Sequence, residues 1–183
     1  LTKGMKRYGT VVQMGNQRRS WPGIIEGIEK VRGGAIGEVR YARAWYTNTR
    51  PSIGRGQRTA VPEHLDYDLW QGPAPERPLK DNLIHYNWHW HWDYGNGDVG
   101  NQGIHETDLC MWGLDVGLPS KITSMGGKFL WDDCKEVPEV LTSVYNYPDE
   151  NKIIQFEVRP WCTNTEDGVK EGNIFYGDKG ILV

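Results

Sequence analysis

Apolar positions in the first quarter of the chain follow strand and helix periods in turn. A short apolar run over residues 10–14 predicts a buried strand, and apolar residues then recur at helical spacing over 21–32. Ser20 is placed to cap that helix at its start. A second strand is expected over residues 37–48, so the opening of the chain has an α/β pattern.

Periodicity is lost between Arg50 and Asn82, a stretch rich in proline and glycine. Within it, one brief helix is expected near Leu65–Trp70. A loop this long inside a compact domain is usually either functional or disordered. Its aromatic and charged side chains favour a packed, functional excursion over a linker.

The last third of the chain is rich in predicted strands. Their expected ranges are Ile122–Trp131, Leu141–Tyr147, Lys152–Trp161 and Asn173–Tyr176. The segment Pro148–Asn151 between the second and third of these has the composition of a hairpin loop.

The segment His85–Tyr94 alternates aromatic rings with polar side chains. An extended chain would place the two kinds on opposite faces. In one interpretation, His89 and His91 bind a metal ion from their shared face, with Asp93 or His85 as a third ligand. In the other, a strand buries its aromatic face and presents polar groups to a cleft. No second cluster of ligands is evident in the sequence, so we favour the strand and expect no metal.

A helix is expected to begin at Asp98 and to end near Leu114. One of its faces carries a polar stripe that consists of Asp98, Asn101, His105, Asp108 and Trp112. A stripe of this kind is commonly a solvated helix face. It also suits a general base, because a histidine titrates near neutral pH and a neighbouring carboxylate fixes its tautomer. Spacing alone leaves both interpretations open.

Composition and charge narrow the function classes. A formal net charge of −3 argues against a nucleic-acid partner, which usually requires a strongly basic surface. No apolar run approaches the ~20 residues that cross a bilayer. The chain has nine Trp and nine Tyr. These rings either fill the core or line a wet cleft for a sugar, since each joins a large apolar area to a polar group. Three cysteines form no disulfide or zinc pattern, so reduced thiols are expected.

Five segments carry a resemblance to a known family. They are Val11–Ser20, Ile36–Val39, Asp66–Pro75, Gly103–Asp108 and Gly172–Gly177. In order and across almost the whole chain, they resemble the Gfo/Idh/MocA oxidoreductase family.

The resemblance implies a fold and a domain organisation. Members have an N-terminal Rossmann domain that binds NAD or NADP, followed by a domain with an open, mostly antiparallel sheet. The sequence has neither the glycine-rich GxGxxG motif nor the family's Glu-Lys-Pro motif. We therefore expect one α+β substrate-binding domain over residues 1–183, with helices packed on one face of the sheet. Residues 1–35 would correspond to the last Rossmann strand and the connecting helix, and the domain would be truncated at both ends.

The resemblance also implies site residues. The family's Asp-x-x-x-His motif corresponds to Asn101–His105, which makes His105 the expected catalytic base and puts Asn101 in the place of the Asp. An Asn can hold a substrate hydroxyl, but it cannot stabilise an imidazolium by charge. The remaining expected contacts are substrate binding by Arg18, Trp88, Trp90, Tyr94 and Asp108, and cofactor binding by Arg19.

The function that follows is oxidation or reduction of a hydroxyl on a sugar, polyol or glycoside, with NAD or NADP bound mainly by the Rossmann domain. Two alternatives remain: an NAD-dependent glycosidase of the same family, and a non-catalytic carbohydrate-binding or oligomerisation module. A sugar-like small molecule and a second copy of the chain, joined through the sheet, are the expected partners. The compartment, cytoplasmic or exported, stays open.

Overall fold

A computed structural model describes residues 2–161 and 165–183, and within them one six-stranded sheet forms the centre of the molecule. The strands are β1 (Val39–Tyr46), β2 (Lys121–Gly127), β3 (Val140–Tyr147), β4 (Lys152–Val158), β5 (Glu171–Gly177) and β6 (Ile181–Leu182). Their order across the sheet is β2-β3-β4-β1-β5-β6. β1 pairs with β4 in parallel, and every other pairing is antiparallel.

Of the five α-helices in the described residues, the last packs directly on the sheet. The five helices are α1 (Thr2–Tyr8), α2 (Pro22–Arg32), α3 (Tyr67–Gln71), α4 (Gly97–Asn101) and α5 (Gly103–Leu114), with 3₁₀ turns at Gln17–Ser20 and Asn87–Trp90. α5 contacts β1, β4 and β5, and α2 packs against α5. The α+β class with an open, mostly antiparallel sheet is therefore confirmed. Among the described residues, no helix is long and apolar enough to cross a membrane.

The core lies between α5 and the sheet because the strands alternate their side chains. In β1, Ala42, Ala44 and Tyr46 belong to the buried apolar cluster under α5. Phe156 of β4 and Phe175 of β5 lie in the same cluster, on the strands that flank β1. The small alanines on the central strand leave room for these two rings beneath the helix.

Glycines on α5 let this helix approach the two rings closely. A Cβ atom on Gly113 would lie 2.4 Å from Cε1 of Phe175, far inside van der Waals contact. We expect Gly113→Ala to lower the free energy of unfolding by about 1–3 kcal/mol through overpacking. Gly23→Ala in α2 is the matched control, because a Cβ there meets nothing within 4 Å and alanine favours the helix. Urea unfolding of both variants checks this, and equal stabilities would contradict it.

A buried charged cluster around Lys135 anchors the long excursion between β1 and α4, residues 47–96. Asp133, Lys135 and Glu139 are 6%, 3% and 1% exposed. The Lys135 ammonium donates to the carbonyl of Pro51 at 2.9 Å and to Glu139 at 3.3 Å, and lies 5.1 Å from the centre of the Trp90 ring. The cluster therefore joins the β2–β3 connection to both ends of the excursion.

Two expectations for the start of the chain have opposite outcomes. The helix over 21–32 is confirmed as Pro22–Arg32, although Ser20 lies in the preceding 3₁₀ turn and Trp21 occupies the cap position. The strand over residues 10–14 is wrong. That run has no secondary structure and Val11 is 96% exposed. An apolar run becomes a strand only beside a partner strand, and this run pairs with none of the strands described here.

The extended conformation expected for residues 85–94 is also wrong. The chain turns there, with the carbonyl of Trp88 accepting from the amide of His91 at 3.1 Å. His89 and Trp90, which an extended chain would place on opposite faces, are both buried. The turn brings Gly95 against the backbone of His89, where a Cβ would lie only 2.6 Å from Cα. Close local packing therefore produces a turn where alternation alone predicted an extended strand.

The remaining elements differ from expectation mainly at their ends. The helix expected from Asp98 to Leu114 is two helices, because the chain breaks at Gln102 between α4 and α5. The brief helix near Leu65–Trp70 is α3, with the Asp66 carboxylate accepting from the amide of Leu69. The four strands of the last third are present; β2 and β4 end earlier than expected, and β3 and β5 are longer than expected. Cys162, one of the expected reduced thiols, lies outside the described residues, whereas Cys110 and Cys134 are free.

Candidate functional site

The first two turns of α5 gather half of the expected site residues. His105 is the third residue of this helix, and Asp108 follows one turn later. The 3₁₀ turn before α2 brings Arg18 and Arg19 against the same turns, although almost 90 residues separate them in sequence. Thus His105, Asp108 and the two arginines form one cluster.

Arg18 is held by two carboxylates. Its guanidinium donates to Glu106 at 2.5 Å and to Glu171 of β5 at 3.1 Å. The Glu106 side chain is fully buried, and the Gln102 amide donates to it at 3.1 Å. Burial raises the pKa of Glu106, and the Arg18 charge opposes that effect. Arg18 therefore acts first as the counter-ion of a buried acid, and its donors are largely used within the chain.

Arg19 and Asp108 are paired with each other. The guanidinium donates twice to the carboxylate, at 2.7 and 2.8 Å, and lies 5.1 Å from the centre of the Trp112 ring. A bidentate pair of this kind has a fixed geometry. The residues expected to contact cofactor and substrate are thus already engaged with one another.

His105 is partly exposed, and its surroundings favour the neutral ring. Burial is the largest cause that lowers its pKa below the usual 6.5, and the Arg18 charge is the second. Glu171 and Asp108 act in the opposite direction and are weaker. At neutral pH the imidazole therefore carries no proton on one nitrogen, which is the form that a general base requires.

Asn101 belongs to a different cluster from His105. Its amide lies 3.4 Å from the hydroxyl of Tyr86 and 3.4 Å from the carboxylate of Asp98. Asp98 is buried and receives two hydrogen bonds from Arg50, at 2.9 and 3.2 Å. Arg50 also donates to the Tyr86 hydroxyl at 3.0 Å. The helix break at Gln102 separates this Arg50–Asp98 cluster from the His105 cluster.

The expected aromatic residues divide between a cavity and the core. Trp88 and Tyr94 line a cavity of about 480 Å³ together with Trp70, Gln71 and Asp93. We call it the aromatic cavity. Trp90 does not take part, because it is 2% exposed and packs against the Lys135 ammonium. Rings beside a carboxylate and an amide offer both stacking and hydrogen bonds to a ligand.

The histidines at positions 89 and 91 are buried and have different partners. Among the residues that the structure describes, no group of three His, Cys, Asp or Glu side chains could hold a metal ion. His89 is 3% exposed, and its Nδ1 lies 2.5 Å from the carbonyl oxygen of Tyr86. His91 is 6% exposed, and its Nδ1 lies 3.5 Å from Glu136.

Burial of His89 predicts a pH dependence of stability. Burial is the main cause that lowers its pKa below 6.5. The unfolded chain takes up a proton that the folded ring does not, so stability falls as the pH drops below about 6.5. Urea unfolding at about pH 7.5 and about pH 5.5 should show this decrease in the wild type and a smaller one in His89→Gln. An equal decrease in both proteins would contradict the assignment.

Four residues of the site region were not singled out from sequence: Arg50, Tyr86, Glu106 and Glu171. Glu106 lies inside the Gly103–Asp108 motif, directly after His105, so its position alone could have suggested a role. Arg50 and Tyr86 carry no such signal. Arg50 begins the aperiodic stretch and Tyr86 lies in the His85–Tyr94 segment, and only folding brings them to Asp98.

Comparison with known proteins decides the family. Residues 44–155 match the sequence model of GFO_IDH_MocA_C2, described as the oxidoreductase family, C-terminal alpha/beta domain. The match covers more than half of the chain. This chain belongs to the Gfo/Idh/MocA oxidoreductase family. No curated protein matches the sequence.

Solved structures share the Gfo/Idh/MocA fold at low sequence identity. The aldose-aldose oxidoreductase from Caulobacter crescentus, complexed with glycerol, is 15% identical with a TM-score of 0.67, over 98% of this chain and 42% of that one. The WlbA dehydrogenase from Bordetella pertussis, in complex with NADH and UDP-GlcNAcA, is 14% identical with a TM-score of 0.65, over 98% and 44%. A super-repressor mutant of Gal80p from Saccharomyces cerevisiae is 14% identical with a TM-score of 0.64, over 99% and 42%.

These matches show the fold of the chain and the share of the matched proteins' length that it covers. The chain spans about two fifths of the length of the solved structures that it matches. At this level of identity the likeness is one of fold. The fold itself is compatible with catalysis and with other roles, so function must be argued from the site.

Proposed function

We propose that this chain is the substrate-binding domain of an NAD(P)-dependent oxidoreductase that acts on a hydroxyl group of a sugar, polyol or glycoside. The observation that carries the proposal is the position and the neutral charge state of His105. It lies on the first turn of α5, is partly exposed, and is kept neutral by burial and by Arg18. Family membership supports the oxidoreductase class.

In this proposal His105 removes the proton of the substrate hydroxyl. The resulting imidazolium is stabilised by Asp108 and Glu171, whose charges both favour the protonated ring. Arg18, held in place by Glu106 and Glu171, keeps the resting ring deprotonated. The network thus sets the charge balance around the base without contacting the substrate.

The described residues do not fit a dinucleotide by themselves. Arg19, the expected cofactor contact, is paired bidentately with Asp108, and Arg18 is held by two carboxylates. We propose that NAD or NADP is bound by the part of the protein that corresponds to the remainder of the matched structures. Such a cofactor would accept the hydride. Calorimetry with the 183-residue chain should therefore detect no binding of NAD or NADP.

The proposed substrate class rests on the aromatic cavity. Its three rings offer apolar faces to the C–H groups of a sugar, and the Asp93 carboxylate offers an acceptor to its hydroxyls. The Gln71 side chain offers its amide nitrogen as a donor, because its oxygen already accepts from the amide of Arg77 and the hydroxyl of Tyr94. Structures named as acting on, or holding, sugar-like molecules are among the fold matches, which is consistent with this class.

The test is an assay of the intact protein with NAD and with NADP against a panel of sugars, polyols and glycosides. Absorbance of the reduced cofactor that rises with one substrate class supports the proposal. Release of an aglycone without net reduced cofactor would instead identify the NAD-dependent glycosidase. No turnover with any member of the panel would contradict both.

A non-catalytic module is the second candidate, favoured by the engaged state of Arg18 and Arg19. A domain whose polar side chains are satisfied internally can bind sugar or join subunits without chemistry. If this candidate holds, the intact protein binds sugars in calorimetry and transfers no hydride. The Gal80p match shows that such a fold also occurs in a protein named as a repressor.

We also propose that the sheet joins two copies of the chain. The face away from α5 carries Met125, 83% exposed, with Ile153 and Ile181 at 41% and 59%. Exposed apolar side chains on an uncovered sheet favour association, most often about a two-fold axis. Sedimentation should show a dimer that Met125→Lys weakens. A monomer at high protein concentration would contradict this.

A further inference from the structure

The hydroxyl of Tyr86 is an exposed group that is held in a fixed position. Tyr86 is 54% exposed. Its oxygen accepts a hydrogen bond from Nη1 of Arg50 at 3.0 Å and a longer one from the Asn101 amide at 3.4 Å. An oxygen that accepts from two N–H groups directs its own proton elsewhere. No acceptor for that proton lies among residues 2–161 and 165–183, so the hydroxyl presents a donor to solvent.

The guanidinium of Arg50 positions this hydroxyl. It donates twice to the buried Asp98 carboxylate, at 2.9 and 3.2 Å, and such a bidentate pair has a fixed geometry. The same guanidinium lies over the rings of Tyr46 and Tyr86, 5.2 and 5.7 Å from their centres. A cation that donates to a phenol oxygen also polarises the O–H bond, which makes the hydroxyl a stronger donor. Arg50 therefore both orients the Tyr86 hydroxyl and strengthens it as a donor.

The Asn101 side chain presents the complementary acceptor. Its nitrogen, and not its oxygen, faces the Asp98 carboxylate at 3.4 Å, because an ionised carboxylate can only accept hydrogen bonds. The orientation of the amide is thereby fixed, and Oδ1 has no hydrogen-bond partner in the described part of the chain. Asn101 is partly exposed. The Tyr86 donor and the Asn101 acceptor thus lie next to each other at the surface.

A donor beside an acceptor recognises a hydroxyl group, because a hydroxyl both accepts and donates. A ligand hydroxyl can accept from Tyr86 and donate to Oδ1 of Asn101. An oxyanion has no proton for Oδ1, and an ammonium has no lone pair for the Tyr86 hydroxyl, so each ion would leave one group unpaired. The Arg50–Asp98 pair behind them is neutral as a whole. The arrangement therefore favours a neutral hydroxyl over an ion.

Contact between Tyr86 and Asn101 joins the segment that lines the aromatic cavity to the segment that carries the proposed base. Tyr86 directly precedes the 3₁₀ turn that contains Trp88 of the aromatic cavity. Asn101 ends α4, four residues before His105, and the amide of His105 donates to the carbonyl of Gln102 at 3.0 Å. Because the chain turns there, the two side chains are nearer than the about 14 Å that four extended residues span. A sugar at His105 therefore has further hydroxyls within reach of the pair.

We propose that Tyr86, together with Asn101, binds a second hydroxyl of the substrate while His105 engages the reacting one. The inference rests on the proposed function and narrows its substrate class to compounds with at least two hydroxyls, as opposed to simple alcohols. Tyr86 is the specificity-determining residue, and Arg50 and Asp98 are its positioning residues.

The experiment compares ligands and variants by NMR titration of the 183-residue chain. The probes are cyclohexanol and the 1,2-, 1,3- and 1,4-isomers of cyclohexanediol, each of which adds one hydroxyl. At least one diol should bind about three- to tenfold more tightly than cyclohexanol, as one added pair of neutral hydrogen bonds predicts. The side-chain amide signal of Asn101 should shift as this diol binds. In Tyr86→Phe the preference for the diol should disappear, and the affinity for cyclohexanol should stay the same.

Tyr8→Phe is the matched control. Tyr8 is also an exposed tyrosine with an arginine over its ring, Arg7 at 5.2 Å, but it lies in α1. This variant should keep the full preference for the diol. Phenylalanine at position 86 retains the ring that packs against Arg50 and His89, so both variants should keep the wild-type melting temperature.

A diol preference that Tyr86→Phe removes and Tyr8→Phe retains supports the inference, and the preferred isomer gives the spacing of the two hydroxyls. The inference is overturned if no diol binds, if no diol binds more tightly than cyclohexanol, or if Tyr86→Phe keeps the preference. The titration requires no cofactor. A diol preference without hydride transfer by the intact protein would therefore overturn only the catalytic proposal, and oxidation of sugars without a diol preference would overturn only the role of Tyr86.

Discussion

Replacement of His105 with alanine in the intact protein is expected to lower kcat by about 10²–10⁴-fold and to change KM little. The variant removes the proposed base but leaves the Arg18–Glu106–Glu171 network and the aromatic cavity in place. Steady-state kinetics and the melting temperature should be measured together. A loss of rate with an unchanged melting temperature identifies a catalytic group.

His64→Ala is the matched control, since His64 is exposed in the excursion. It should leave both kcat and melting temperature unchanged. A folded His105→Ala protein with the wild-type kcat would remove His105 from the mechanism. A large fall in melting temperature would show a structural role instead.

Asn101 is expected to behave differently from the Asp that the family motif contains. Its amide faces the Asp98 carboxylate, not the imidazole of His105. Asn101→Asp would therefore place a second carboxylate beside a buried one and would not restore a charged partner for the base. Stability, not kcat, is the property that this variant should lower.

Replacement of Lys135 with methionine is expected to cost about 3–5 kcal/mol of stability. The ammonium is the shared partner of two buried carboxylates, Asp133 at 3.4 Å and Glu139 at 3.3 Å. Methionine fills a similar volume but leaves Glu139 without its cation. For a domain of this size, the loss corresponds to a fall in melting temperature of about 6–20 °C.

Two controls make the Lys135 measurement specific. Lys121→Met on the exposed edge strand β2 should change the melting temperature little. The double variant Lys135→Met/Glu139→Gln should recover part of the lost stability, because the uncompensated charge is removed with its partner. If the double variant is no more stable than Lys135→Met, the cost comes from packing and not from the buried charge.

Hydrophobic periodicity in the sequence predicted the helices and strands that bury one face against the core. α2 follows its apolar spacing to within one residue at each end, and the strands of the last third lie where alternation placed them. These elements lie against one continuous core, so the pattern of each reports its own burial. The resemblance to the Gfo/Idh/MocA family then predicted the fold class. The stretch between Arg50 and Asn82 has no hydrophobic periodicity from which its fold could have been predicted.

The site region was harder because its geometry depends on distant pairs. Arg18 meets Glu106 and Glu171 across 88 and 153 residues of sequence. Arg50 likewise pairs with Asp98 from a distant part of the sequence, and no motif near either residue predicts the pair. At residues 87–90, alternation suggested a strand, but short-range hydrogen bonds and packing against Lys135 produced a turn. Long-range charge pairs and tight packing are the features that a single sequence conceals.

The central position of β1 has a consequence for biosynthesis. Among the six strands of this sheet, β1 is synthesised first. Its neighbours β4 and β5 follow roughly a hundred residues later, which takes about 5–20 s at ordinary elongation rates. During this interval an apolar strand with both edges open is a template for aggregation. Arg40 and Arg43 interrupt its apolar sequence, as gatekeeper charges do. When β4 arrives, Glu157 pairs with Arg43 at 2.6 Å, so the charge that protects the nascent strand becomes part of the finished sheet.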